Sequence, residues 1–160
     1  TSSQVYQLKI SLKRMRHPIW RRVLIPATAR LGLLHQVIQI VMNWGGDHLH
    51  AFAVGNEHYG DPFTSPDLDD EESLRLSGAF TPSIRTITYL YDFGASWYHD
   101  ITCEKVLDLD IDATYPVCVT GRGDFPLEYW TDEDDDQQPI PFDKDKVNSR
   151  LADVHQRVIG

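Results

Sequence analysis

The chain has 160 residues, of which 41% are hydrophobic and 24% charged, a balance that excludes wholesale disorder and gives one domain as the expectation. Two cysteines, Cys103 and Cys118, are too few for a disulfide framework or a four-cysteine zinc module. No apolar run approaches the roughly 20 residues of a membrane span, and no charged-then-apolar leader opens the chain at Thr1; a cytoplasmic domain with no membrane partner is expected.

The net charge of −9 hides a division. Residues 1–46 carry seven Lys and Arg and no acid, whereas all 24 acids lie in the remainder. Such asymmetry fits either a basic surface for nucleic acid or pairing of the two halves within one fold. Net acidity opposes long-range attraction to a polyanion, which favours internal pairing.

Tyr6, Leu8, Ile10 and Leu12 alternate with polar residues, the period of a half-buried strand. A second strand spans Ile19 to Ile25 after the His17-Pro18 break, and a hairpin joins the two. Arg21 falls on the apolar face of that strand, marking an edge or a buried ion pair. From Leu31 the period changes to i, i+3, i+4 through Leu34, Val37, Ile38 and Val41, which predicts an amphipathic helix over 31–43 stopped by Gly45-Gly46. His48 to Val54 alternates again, with a turn at Asn56. Residues 60–73 hold five acids between Asp67 and Glu72, the composition of a solvated, flexible loop. Strands follow over Arg85–Phe93 and Trp97–Leu107, joined at Gly94-Ala95-Ser96. Residues 108–142 read as irregular, with a flexible acidic segment over about 131–139. Val147, Leu151, Val154 and Val158 predict a terminal helix with Asp143 as N-cap. The order implies an α+β fold, a mostly antiparallel sheet with a central amphipathic helix and a C-terminal helix packed on one face.

Phosphate loops, dinucleotide glycine fingerprints, nucleophile elbows and metalloprotease histidine pairs are absent. Histidine placement carries the one catalytic pattern. In His48-Leu49-His50 two imidazoles share a strand face. Asp92 ends one later strand, and His99 lies in the next. Convergence of His48, His50, Asp92 and His99 would suit a divalent metal such as zinc, able to activate a hydrolytic water with Glu128 or Asp124 as acidic partner. The competing reading is a structural polar cluster, since a one-residue register slip reverses the faces. His35, beside Gln39 on the helix, reads as a core-edge residue. Arg14, Arg16, Arg21 and Arg22, with Trp20, Trp44, Trp97 and Trp130 as stacking platforms, are the candidate nucleic-acid contacts.

Pro18-Ile19-Trp20-Arg21-Arg22-Val23, Leu34-His35 with Ile38-Gln39, Trp44, His48-Leu49-His50-Ala51-Phe52, and Tyr91-Asp92-Phe93-Gly94 with Trp97 and His99 occur in an order that resembles the Ri-plasmid open-reading-frame-three-like family, also known as insertion-element passenger or TnpR-like proteins. The resemblance runs from about Val5 to Pro116. It implies an α+β fold and an accessory or interaction domain carried by mobile DNA, with a protein or nucleic-acid partner and no established activity. Relative to the family, Ala95 replaces an acid after the Tyr-Asp-Phe-Gly glycine. The stretch Phe125-Pro126-Leu127-Glu128-Tyr129-Trp130 replaces a pattern of prolines and acids. A family site that used those acids would be incomplete in this chain.

Overall fold

The computed structural model describes residues 3–128 and 138–159, without the side chains of 155–159. Strands β1 (Gln4–Leu12) and β2 (Trp20–Pro26) form the expected hairpin, followed by helix α1 (Leu31–Met42). Then come β3 (His50–Val54), β4 (Glu57–Gly60), β5 (Asp69–Asp70), a 3₁₀ turn over Glu71–Ser73 and the short α2 (Leu76–Ala79). β6 (Thr86–Tyr91), β7 (Trp97–Asp108), β8 (Val117–Arg122) and α3 (Lys144–Ile159) complete the order. Among the described residues, eight strands form one sheet in the order β5-β4-β3-β6-β7-β1-β2-β8, antiparallel throughout except for the two-residue β4–β5 pair. The fold is therefore α+β. Among the described residues no helix is long and apolar enough to cross a membrane.

Register explains which side chains meet. Tyr91 lies opposite both His50 of β3 and Trp97 of β7, while Tyr89 lies opposite Phe52 and His99. Directly paired residues point to one face, so these rows line a single side of the sheet. The next row pairs Ile87 with Ile101, Ile101 with Ile10 and Ile10 with Arg21. Arg21 therefore enters the core as part of an isoleucine row, and it is fully buried.

Nine of the twelve α1 residues are buried, so the helix is enclosed well beyond a single stripe. Its C-terminus differs from the glycine stop expected from sequence. Asn43 takes the left-handed conformation at φ 59° and its N–H caps the Gln39 and Ile40 carbonyls; asparagine tolerates this region because its side chain bonds locally. α3 starts as expected, with Asp143 Oδ1 accepting the Lys146 N–H at 3.1 Å.

Four short elements go beyond the sequence expectation. Residues 108–142 include β8, whose strand character comes from pairing with β2 rather than from its own pattern. The acidic stretch contributes β5 and the 3₁₀ turn, and α2 follows it. Residues 129–137, including Trp130 and most of the second acidic run, lie outside the described residues.

The outer edge of β8 is closed by one side chain. Asn148 Oδ1 accepts the Cys118 N–H at 2.7 Å, and Asn148 Nδ2 donates to the Cys118 carbonyl at 2.9 Å. The amide thus imitates a neighbouring strand and blunts an edge that would otherwise template pairing with another chain. Asn148→Ala should cost about 1–3 kcal/mol by orphaning both groups, read as a lower urea midpoint at unchanged m-value.

Candidate functional site: a buried histidine and tyrosine network

Two polar side chains of α1, one helical turn apart, reach Tyr89 of β6. Gln39 Nε2 donates to the Tyr89 hydroxyl oxygen at 2.9 Å, and His35 Nδ1 lies 2.7 Å from the same atom. With the amide as donor, the phenolic proton goes to His35 Nδ1, which fixes a neutral imidazole. Burial and the neighbouring His50 push the His35 pKa down to about 3. The His35 ring stacks on His50 at 3.5 Å between centroids. His50 Nε2–H in turn donates to Glu71 Oε1 at 2.6 Å, with His50 and Glu71 each only 7% exposed. Gln39 Oε1 is the one group of this chain of contacts that is buried without a partner.

His99 sits deeper, at 0% exposed. Trp44 Nε1–H can only donate, and it points at His99 Nε2 at 3.1 Å. The Nε2 lone pair is thereby taken, the ring proton resides on Nδ1, and Nδ1–H donates to the Tyr89 carbonyl at 3.1 Å. Burial lowers the His99 pKa to about 4, opposed by its backbone hydrogen bonds.

A second group forms at the ends of β3 and β6. His48 Nε2 lies 3.5 Å from Asp92 Oδ2 and 3.7 Å from Glu128 Oε2. Tyr91 donates its hydroxyl to Glu128 Oε2 at 2.9 Å and accepts the Asp47 N–H at 3.1 Å, while the Gly45 N–H reaches Glu128 Oε1 at 2.7 Å. Burial first, then Glu128, raises the Tyr91 pKa to about 12. Asp92 has φ 62° and accepts the Gly94 and Ala95 N–H groups.

The expected set of His48, His50, Asp92 and His99 is thus divided in three. His48 and Asp92 meet, joined by Glu128; His50 turns to Glu71; His99 bonds to Trp44 and Tyr89. The reasons are geometric. β6 lies between β3 and β7, which sets His50 and His99 about 10 Å apart at ~4.8 Å per strand, far beyond the ~2 Å bonds of a common zinc. His48 precedes β3, so the alternation rule does not extend to it. Among the described residues no group of three or more His, Cys, Asp or Glu is placed to hold a metal ion. Asp124 contributes its backbone carbonyl to Arg21 at 3.5 Å.

The candidate nucleic-acid contacts divide as well. Arg14 and Arg16 are exposed, Arg14 lying 5.2 Å from the Tyr98 ring centroid. Arg22 pairs with Glu104 at 2.8 Å and packs over Trp20. Arg21, buried, is withdrawn from any surface: Nε donates to the Val41 carbonyl at 2.9 Å and Nη1 to the Trp20 and Arg122 carbonyls at 3.0 and 2.8 Å. Phe142 lies under its guanidinium at 4.1 Å. Cys103 and Cys118 are free, buried thiols raised by burial, Cys118 to about 11, which keeps both protonated.

Sequence reasoning missed Glu71 as a site residue. Nothing in the run Asp69 to Glu72 separates it from its neighbours; only the contact with His50 does. For His35 and Gln39 a signal existed, since two polar residues four apart within an apolar stripe require a buried partner.

The two depressed histidines set a pH dependence. Between the folded value near 4 for His99 and the ordinary value near 6.5, the unfolded chain binds a proton that the native chain refuses, so stability falls as pH drops through this window. His35 acts in the same direction from about 3 upward. Thermal melts in matched ionic strength should show a falling midpoint from pH 6.5 to 4.

The model of the plasmid pRiA4b ORF-3-like proteins matches residues 4–138. An uncharacterized protein of Sinorhizobium fredii, y4hQ, is 30% identical over 129 residues, 79% of this chain and 66% of that protein's length; the match thus spans just under two thirds of the relative. The crystal structure of MM3350, a protein of unknown function from Methanosarcina mazei Go1, superposes with a TM-score of 0.68 at 33% identity, covering 76% of this chain and 71% of that one.

Proposed function

The chain belongs to the plasmid pRiA4b ORF-3-like family, and on that premise we propose that it is an accessory or interaction domain of mobile elements that acts by binding, its histidine network serving to hold helices on the sheet. The observation that carries this reading is the occupation of both His99 ring nitrogens by Trp44 and Tyr89. A metal ligand needs a free lone pair, and this imidazole has none to give. The reading takes residues 1–160 as one cytoplasmic domain in which α1, the central amphipathic helix, and α3 share one face of the sheet. The free thiols of Cys103 and Cys118 support the compartment, and the bond from Arg150 Nη1 to Asn43 Oδ1 at 3.3 Å supports the helix pairing. A protein or a nucleic acid remains the partner class; burial of Arg21 and pairing of Arg22 with Glu104 weigh toward a protein. A nucleic-acid partner would engage Arg14 and Arg16 and bind with a steep salt dependence.

A second reading is a metal-dependent hydrolase, acting on nucleic acid phosphodiesters. One observation favours it: His48 lies between Asp92 and Glu128. As placed, these three do not form a metal-holding group, so that reading requires them to close further around a divalent ion such as zinc that would activate water, while His50 and His99 support the fold. Elemental analysis of chelator-free protein separates the two. The binding-domain reading expects no stoichiometric metal, and a His50→Ala, His99→Ala double variant that loses stability alone. A stoichiometric ion that disappears in His48→Ala would overturn it.

A further inference from the structure

Glu128 is a buried acid, its side chain 5% exposed, and each of its oxygens has its own donor. The Gly45 N–H reaches Oε1 at 2.7 Å and the Tyr91 hydroxyl reaches Oε2 at 2.9 Å, with His48 Nε2 at 3.7 Å from Oε2. These groups are set by contacts that do not involve Glu128. Tyr91 ends β6 and accepts the Asp47 N–H at 3.1 Å, and Gly45 follows the α1 cap, where the Trp44 N–H reaches the Gln39 carbonyl at 2.9 Å. With its pKa raised to about 12, the Tyr91 hydroxyl stays a donor. Glu128, in contrast, arrives on a segment held by little else at its end. The Phe125 N–H bonds to the Ile140 carbonyl at 2.8 Å, but among the described residues the backbone of 126–128 makes no hydrogen bond. The loop that carries Gly45 and His48 is exposed.

We propose that Gly45, Tyr91 and His48 form a carboxylate-binding site that the chain's own Glu128 fills, an autoinhibitory contact displaced by a carboxylate from outside the chain, either a free organic acid or an acidic side chain of a protein partner. Glu128 shows the chemistry that fits: two donors, one for each oxygen of a single planar group, match a carboxylate. Asp92 Oδ2, 3.5 Å from His48 Nε2, is a second negative charge that disfavours a dianion such as phosphate. The proposal rests on the binding-domain reading and names what is bound; that reading can stand on its elemental analysis while carboxylate binding fails.

Glu128→Ala empties the site in the full chain and should lower the thermal midpoint by about 4 °C, since the Tyr91 hydroxyl loses its acceptor. Sodium acetate, at ionic strength held constant with sodium chloride, should restore the midpoint saturably, whereas acetamide, of the same shape without the charge, should not. In nitrogen–proton NMR the Gly45 amide signal of the variant should move with the same acetate dependence. Adding Tyr91→Phe should weaken acetate about tenfold, the worth of one hydrogen bond to a charged group. Acetyl-Gly-Glu-Gly-amide separates the sources: a Gly45 shift with this peptide assigns the site to a partner's acidic side chain, and a shift with acetate alone assigns it to a free acid. Glu128→Gln, isosteric with the native side chain, guards against loss of the fold, because acetate should displace its neutral amide and move the same signal. The proposal is overturned if acetate moves the Gly45 signal in neither variant, or if acetamide acts as strongly as acetate.

Discussion

Arg21→Leu is expected to destabilise the fold by about 3–4 kcal/mol, the upper range for a single substitution. Leucine fits the isoleucine row that surrounds it, so the loss comes from what the guanidinium leaves behind. Four carbonyls, of Val41, Trp20, Arg122 and Asp124, would lose a donor. The Val41 carbonyl lies in the last turn of α1, which has no basic residue of its own; Arg21 supplies the cation that the helix dipole favours there. Phe142, stacked on the guanidinium at 4.1 Å, ties the approach to α3 to the same group. Arg21→Lys should fail nearly as badly, because one ammonium cannot serve carbonyls spread along a planar fork. Urea denaturation measures both variants. A loss under about 1 kcal/mol for Arg21→Leu would mean that the carbonyls find other partners and that the arginine is not the junction of helix and sheet.

His99→Leu should cost about 3 kcal/mol at pH 7 by orphaning the Trp44 N–H and the Tyr89 carbonyl. The same variant removes the group that native protein keeps neutral down to about pH 4. Its stability should therefore fall less on acidification than that of the wild type, and the gap between the two should narrow from pH 6.5 to 4. A gap that widens as pH falls would show that the native imidazole is charged, contrary to the hydrogen-bond pattern. Because the midpoint shift and its pH trend arise from one residue, cavity formation alone cannot imitate the result.

Local pattern and long-range pairing contributed differently to what the sequence disclosed. Alternation over Tyr6 to Leu12 and helical spacing from Leu34 to Val41 are written in adjacent residues, and both elements form. β8 is not written that way: Val117-Cys118-Val119 is a short apolar run before Gly121, and its pairing with β2 and clamp by Asn148 are tertiary. The site follows the same division. The sequence nominated His48, Asp92 and Glu128, which meet, together with His50 and His99, which go elsewhere. Strand order decides this, since inserting β6 between β3 and β7 sets two histidines apart whatever face each occupies. Arg21 looked anomalous on an apolar face because its partners are backbone carbonyls, which no side-chain pattern displays. Glu71 was invisible for the opposite reason, standing among identical acids with one buried contact to distinguish it.

The buried imidazoles serve as fixed donors and acceptors inside the fold. Long-range nitrogen NMR of the histidine side chains at pH 7 tests this directly. For His99 the expected spectrum is that of a neutral ring protonated at Nδ1 with Nε2 bare, unchanged by added zinc. A ring protonated at Nε2, a doubly protonated ring, or a signal that moves stoichiometrically with zinc would contradict it.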